Sequence, residues 1–346
     1  MSGRVPVERL GFRRLVRKYD CDLCFTPMIV SSSFINSVKA RDSDFTTNAE
    51  DRPLIVQFAA SNGTDLADAA EIIYKFADGV DLNCGCPQRW AMSEGYGAHL
   101  IHHPQLLKDM VLQTRNRLPG DKFTLSCSHD NHVHVVQVMI IMVGRGRGLL
   151  LLLDMASMWS RETVSLCQQL EKAGLSWLTV HARTPTQRHE PINSEALRTI
   201  RDSVSLPLVG NGDIFNLEQA EDFQRETGVN GETDSYNLGN SNYILVFRSQ
   251  RIERNDCCAG VMSARGLLAN PALYAGYSNT PTSCVEDWVE IALGELGVPF
   301  TPFHHHLSFM LEHCLPRGER KLFNLLSSPT AVLDFLYSAN LLTPPS

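Results

Sequence analysis

Five short apolar runs, each followed by an amphipathic stretch and each finishing on a polar or reactive residue, constrain this chain more than any other feature. The runs are Leu54–Phe58, Val80–Asn83, Trp177–His181, Leu206–Asn211 and Gly260–Ala264. Apolar runs this short, separated by helical stretches, read as buried parallel strands of an α/β fold. Over Thr64–Ala77 the residues Leu66, Ala69, Ala70, Ile73 and Phe76 recur at helical spacing, behind an expected Thr64/Asp65 cap. Glu162–Ala173 and Leu217–Thr227 carry the same period.

The strand ends narrow the fold. Gln57 ends the first run, Asn83 with Cys84 and Cys86 the second, His181 the third, Asn211-Gly212-Asp213 the fourth and Arg265-Gly266 the last. A strand buried on both faces gains no stability from such an ending. In a TIM (β/α)8 barrel, however, the carboxyl ends of the strands form the active-site face, so a barrel is expected here over an open doubly wound sheet. The last two endings suit a phosphate, because Gly212 and Gly266 let backbone N–H groups approach an anion and Arg265 adds charge. Glycines serving only as tight turns are the alternative. After Gly276 the repeat stops, and Trp288–Leu296, His305–Cys314, Arg320–Leu326 and Ala331–Tyr337 read as helices. The expected division is a barrel over 1–276 and a helical domain over 277–346.

Composition excludes several function classes. Ten cysteines with no signal peptide imply reduced thiols, not a disulfide framework, so a cytoplasmic or nuclear protein is expected. The most apolar stretch, Val133–Leu153, is interrupted by Gly144-Arg145-Gly146-Arg147-Gly148, so no membrane helix is expected. A net charge of −7 argues against non-specific coating of nucleic acid but leaves local basic patches open. Two clusters qualify: Arg13, Arg14, Arg17 and Lys18, and Arg317, Arg320 and Lys321. Each also reads as a solvated helix face.

The densest chemical signal is Asp81-Leu82-Asn83-Cys84-Gly85-Cys86-Pro87-Gln88. Cys86, set between glycine and proline just past a buried strand, sits in a rigid loop from which a thiol can act as general acid towards carbon. Cys84-x-Cys86 has the wrong spacing for a zinc knuckle, and no metal site is expected. Cys21-x-x-Cys24 reads as packing, His304-His305-His306 as a helix start, and His102-His103 before Pro104 as a surface turn. Arg183 and Arg188, on the loop after His181, are either phosphate contacts or solvated.

DLNCGCPQ, VQFAA, TVHART, GNGDI and MSARGLLANP, in this order and at these separations, resemble the tRNA-dihydrouridine synthase family. CDLCFTPMI, KARDSDFTTN, CPQRWAMSEGYGA and HHHLSFM with ERKLFNLLSS narrow the resemblance to its eukaryotic synthase 4-like subfamily. The resemblance implies an FMN-bearing barrel reduced by NADPH or NADH, with a C-terminal helical domain that grips tRNA. Hydride would pass from the flavin to C6 of a D-loop uridine, of the 20a/20b pair by subfamily, and Cys86 would protonate C5. Gln57 and His181 would contact the flavin, and Asn211, Gly212, Asp213, Ala264, Arg265 and Gly266 would hold its phosphate. Asn83 would shape the uracil pocket and Arg183 would meet the tRNA; no protein partner is implied. A different FMN barrel acting on a free pyrimidine is one alternative, although ERKLFNLLSS argues against it. A catalytically inactive variant of the synthase is another.

Three departures from the family pattern stand out. The place of the first strand, an Ala-Pro-Met run in the family, is taken by Met1–Val7. In the fifth strand Ser128 stands near a flavin-contacting Lys position, and atypical sequence occupies 121–160, including His132 and His134. A second atypical segment, 231–259, separates Gly228-Val229-Asn230 from Gly260-Val261-Met262. Such abrupt segments have the texture of retained intron or an alternative transcript. Altered first and fifth strands predict weak FMN retention and low stability.

Overall fold

The computed structural model describes residues 10–86, 88–118, 124–128, 163–181, 192–211, 214–228, 260–263 and 265–343. Eight strands form one sheet: β1 (Cys24–Phe25), β2 (Ile29–Val30), β3 (Leu54–Ala59), β4 (Gly79–Asn83), β5 (Thr124–Ser128), β6 (Trp177–His181), β7 (Leu208–Asn211) and β8 (Gly260–Met262). Every pairing is parallel and runs in chain order, which requires a crossover segment between each pair of neighbours. β1 and β2 both pair with β3, so they are two pieces of one strand position. The eight strands therefore fill seven places.

Side-chain alternation sorts the strands into two faces. On β3, Leu54, Val56 and Phe58 join the large core that also holds Leu66, Ala69 and Ile73 of the Gly63–Ile73 helix. Ile55 points the other way and packs with Leu23, Phe25, Val209 and Trp177. That small cluster joins β1 and β3 to β6 and β7, on the far side of the sheet. Such contacts require the sheet to curl until its two ends look across one interior, as in a barrel wall. The expected α/β barrel architecture is observed to this extent.

Several elements fall where periodicity put them, including β6 and the Leu217–Thr227 helix, residue for residue. The Gly63–Ile73 helix is capped by Asn62, which accepts from the Asp65 N–H at 2.9 Å, and not by the expected Thr64/Asp65 pair. Asn has the short acceptor that reaches the third N–H of a helix, and Asn193 and Asn216 cap two later helices in the same way. The fifth-strand position is filled by a regular strand: β5 pairs with β4 along its length and with β6 from Ser126 to Ser128. The alteration expected there leaves Thr124–Ser128 intact as a strand. Met1–Val7, and most of 121–160 and 231–259 with His132 and His134, lie outside the described residues.

Beyond Gly276 the chain is helical, with helices over Thr282–Val289, Phe300–Met310, Arg317–Phe323 and Pro329–Ser338 and a π-helical turn at Glu290–Glu295. These helices share the main core with the barrel wall. The link is the Leu10–Arg17 helix: Phe12 stacks on His306 at 4.4 Å between ring centroids and meets Trp288 edge-on at 6.3 Å. The histidine triplet thus sits inside the Phe300–Met310 helix, not at its start, and His306 is a core residue. His102 and His103 are exposed just before Pro104 opens a helix, as expected.

The N-terminal basic cluster is consumed in folding. Arg13, fully buried, donates to Asp51 at 2.6–3.1 Å and to the Thr46 carbonyl at 2.6 Å. Arg17 reaches Asp51 and the Pro53 carbonyl, Arg14 pairs with Glu295, and Lys18 pairs with Asp287. These cations tie the first helix to the start of β3 and to the C-terminal helices, and the solvated-face reading of this cluster is replaced. In the second cluster Arg317 and Lys321 remain exposed.

Candidate active site

The carboxyl ends of β3 and β4 carry a hydrogen-bonded chain of polar side chains. Gln57 Nε2 donates to Asp81 Oδ2 at 2.9 Å, and Asn83 Nδ2 donates to Gln57 Oε1 at 3.0 Å. Asn83 Oδ1 then accepts from the backbone N–H groups of Gly85 at 3.2 Å and Cys86 at 2.9 Å. Ser126 Oγ on β5 donates to Asp81 Oδ1 at 2.6 Å. All four side chains are buried. They project into the curled interior because they alternate with Val56, Val80, Leu82, Leu125 and Cys127, which face the helices.

The two cysteines of the motif part because β4 ends at Asn83 and the chain then turns away from the strand direction. Cys84 is buried in the outer core with Cys127, and its thiol donates to the Leu82 carbonyl at 3.5 Å. Cys86 lies three residues past the strand, against Ala59, Ala91 and Tyr96, with Met28, Val30 and Trp90 around them. Its carbonyl accepts from the Ala98 N–H at 3.1 Å. Gly97, at φ +60°, passes so close that a Cβ there would stand 2.5 Å from the Cys86 carbonyl oxygen and 2.8 Å from its Cβ. The loop is therefore gripped from both sides, by Asn83 and by the Gly97 turn. Sequence reading missed Met28, Trp90 and Tyr96, which wall this loop, and Asp81 and Ser126, which anchor the chain behind it. Polar residues at alternate positions of otherwise apolar strands were the available signal.

The remaining expected site residues cluster around the later strands. His181 ends β6 and pairs in register with Asn211, the last residue of β7. Arg265 begins the short Arg265–Ala269 helix after β8. At Gly266 a Cβ would stand 2.4 Å from the Ile214 carbonyl oxygen and 2.6 Å from Ser263 Oγ. Ser263 Oγ also donates to the Ile214 carbonyl at 3.1 Å. The segments after β7 and β8 thus abut, and the glycine is needed for that approach. Gly212, Asp213, Ala264 and Arg183 lie outside the described residues.

Two features bear on whether a flat, polar-edged group suits this interior. Thr179 Oγ1 and Trp177 Nε1 are buried without a hydrogen-bond partner among the described residues. Thr179 lies on the same face of β6 as Trp177, two residues towards the carboxyl end. Trp177 begins β6 and packs with Leu23, Phe25, Ile55 and Val209, so Thr179 is the group nearer the carboxyl edge at which a polar-edged ring would sit. Among the described residues no group of three or more His, Cys, Asp or Glu is placed to hold a metal ion. The Cys21 and Cys24 sulfurs lie 3.4 Å apart, both buried, and burial raises the Cys21 thiol pKa well above its ordinary value.

Comparison with known proteins agrees with this geometry. A family model described as "Dihydrouridine synthase (Dus)" matches residues 5–141 and 156–232. The chain is 45% identical over 332 residues to the human "tRNA-dihydrouridine(20a/20b) synthase [NAD(P)+]-like", covering 96% of this chain and 87% of that protein. It is 34% identical over 313 residues to the Saccharomyces cerevisiae "tRNA-dihydrouridine(20a/20b) synthase [NAD(P)+]", covering 89% and 70%. To the Schizosaccharomyces pombe protein of the same name it is 33% identical over 333 residues, covering 96% and 84%. The unmatched stretch between the two family segments falls within 121–160, and the match ends where 231–259 begins. With a parallel α/β sheet, the Cys86 loop gripped at its carboxyl edge and this extent of identity, the chain belongs to the dihydrouridine synthase family.

Proposed function

We infer that this protein reduces a D-loop uridine of tRNA, of the 20a/20b pair, to dihydrouridine. The observation that carries the reading is the Cys86 loop, fixed through its N–H by Asn83 and through its carbonyl by Ala98. A thiol that must protonate one carbon of a planar base needs such fixed geometry, because misplacement by about 1 Å can cost on the order of 100-fold in rate. FMN, recharged by NADPH or NADH, would supply the hydride to C6 of the uracil ring.

The chain's own residues do the rest. The Gln57 amide meets the edge of the flavin ring and His181 lies against it. Asn211, Gly212 and Asp213, with Ala264, Arg265 and Gly266, hold the phosphate where the β7 and β8 segments abut. Asn83 borders the uracil pocket, and the apolar wall of Met28, Trp90 and Tyr96 keeps water from the proton donor. Cys86 gives its proton to C5. A base inside a folded RNA must be turned out of its stack to reach such a pocket, while backbone contacts position the rest of the molecule. Arg183 and the exposed Arg317 and Lys321 serve the phosphates, the latter two from the helical region proposed as the tRNA-gripping domain over 277–346. The full (β/α)8 barrel over 1–276 requires one more strand position than the seven described.

The experiment is a visible absorbance spectrum of the purified chain, before and after FMN is added and removed by desalting. A second step measures NADPH-dependent dihydrouridine formation on a tRNA transcript, with Cys86→Ala as control. Because β5 is intact as a strand, retained flavin is expected here in place of the weak retention predicted from the altered sequence, with turnover abolished by Cys86→Ala. A chain that stays colourless after reconstitution would sink the reading in favour of an inactive variant, as the altered first strand and the segment after β5 would then have removed the cofactor.

A further inference from the structure

Asp81 is fully buried at the far end of the chain of side chains that ends on the Cys86 loop. The two ends of that chain have fixed polarity. Backbone N–H groups of Gly85 and Cys86 can only donate, and the Asp81 oxygens accept from Gln57 and from Ser126. Between them stand two primary amides, each able to turn over and exchange oxygen for nitrogen. With the carboxylate in place, Gln57 must offer its nitrogen to Asp81, which leaves its oxygen for Asn83. Asn83 must then offer its nitrogen to Gln57, which leaves its oxygen for the Cys86 loop. A flip of either amide sets donor against donor and acceptor against acceptor in a buried site, where an unmade hydrogen bond is costly.

We propose that Asp81 is a positioning residue for the reaction, acting through Gln57 and Asn83 to hold the Cys86 loop in its working register. The proposal rests on the reading of Cys86 as proton donor. Ser126 supports it from the other side, since its hydroxyl fills the second oxygen of Asp81 and keeps the first turned to Gln57. Nothing else in the motif sets the polarity from this end, because Gln57 and Asn83 are themselves symmetric to a flip.

The test compares Asp81→Leu, which removes the acceptor at similar volume, with Asp81→Asn, which keeps one acceptor oxygen for Gln57 and can donate to Ser126. Amide hydrogen exchange of the 84–86 segment, read by mass spectrometry, needs no flavin. In Asp81→Leu it should accelerate at Gly85 and Cys86 while β6 and β7 stay protected, and Asp81→Asn should restore protection. In flavin-loaded protein, reoxidation of prereduced enzyme by a tRNA transcript should fall about 100-fold in Asp81→Leu and less than about tenfold in Asp81→Asn. Reduction by NADPH, which does not use Cys86, should fall by a clearly smaller factor than reoxidation in Asp81→Leu, any loss there reflecting Gln57 at the flavin edge. Should Asp81→Leu fail to fold, Asp81→Ser takes its place, its hydroxyl being too short to reach Gln57. The proposal is overturned if exchange at Gly85 and Cys86 keeps the parent rate, if both variants lose equally, or if exchange rises throughout the sheet. A Cys86→Ala protein that reoxidises at the parent rate would defeat the reading of Cys86, while the exchange measurement still judges Asp81.

Discussion

At the scale of single residues, the Cys86 loop depends on an uncommon backbone conformation next to it. Gly97 adopts φ +60°, where an L side chain is strained, and its missing Cβ is what lets the Cys86 carbonyl come within reach of the Ala98 N–H. Gly97→Ala should destabilise the protein by about 1–3 kcal/mol, because the clash is with backbone that has few ways to yield. Chemical denaturation would measure this, and dihydrouridine formation should fall more steeply than stability does. A second residue-level outcome separates the two cysteines of the motif. Cys84 lies in the outer core, so iodoacetamide should label Cys86 before Cys84 in the folded protein, as peptide mapping would show. The sequence singled out Cys86, set between glycine and proline past a buried strand, and gave Cys84 no catalytic role. The structure adds that Cys84 packs in the outer core, while the turn beyond the end of β4 carries Cys86 into a separate cluster with Ala59, Ala91 and Tyr96.

Among elements, the Leu10–Arg17 helix is the joint of the molecule. Its Arg13 and Arg17 converge on Asp51, just before β3, in a site where Arg13 is 1% and Asp51 0% exposed. Removing one partner of such a pair leaves a buried charge, so Asp51→Ala should cost about 3–5 kcal/mol. Thermal melting would read this as a large drop, whereas Glu295→Ala, which breaks the half-exposed Arg14 pair, should have little effect. The Gly97–His102 turn and the residue after it form a second element with a pH dependence. The His99 and His103 rings lie 4.5 Å apart, tilted by 34°, and partial desolvation together with the charge of His103, and that of His102 for His99, lowers the pKa of His99 and His102 below 6.5. A depressed histidine resists protonation in the folded state, so the stability it contributes is present above pH 6.5 and lost as pH falls through the folded value. Melting temperature should therefore decline from pH 7 towards pH 5, and a His99→Gln, His102→Gln double variant should flatten that decline.

For the whole molecule, the basic residues divide between those held in ion pairs with other elements and those exposed on the C-terminal helices. The N-terminal cations are held in ion pairs, so the exposed Arg317 and Lys321 carry the expectation for phosphate contact. Replacing both with glutamate should weaken tRNA binding and reduce the slope of log affinity against log salt by about 1–2, leaving flavin binding unchanged. Electrophoretic mobility shifts at several salt concentrations would measure the slope. A variant with unaltered affinity would remove this face from the interface.

The sequence by itself determined the strand–helix alternation, the parallel order, the polar strand ends and the C-terminal helices. These arise from local periodicity and from residue types that a short window of chain contains. It did not determine that β1 and β2 share one place, that Arg13 and Arg17 would be drawn into the core, or that His306 would stack on Phe12 and meet Trp288 edge-on. Nor could it select Asp81 and Ser126, which are 45 residues apart and meet only because β4 and β5 pair in register. Burial of charge and the polarity of a buried hydrogen-bond chain depend on which surfaces face each other, and that is decided only when the sheet curls and the helices close over it.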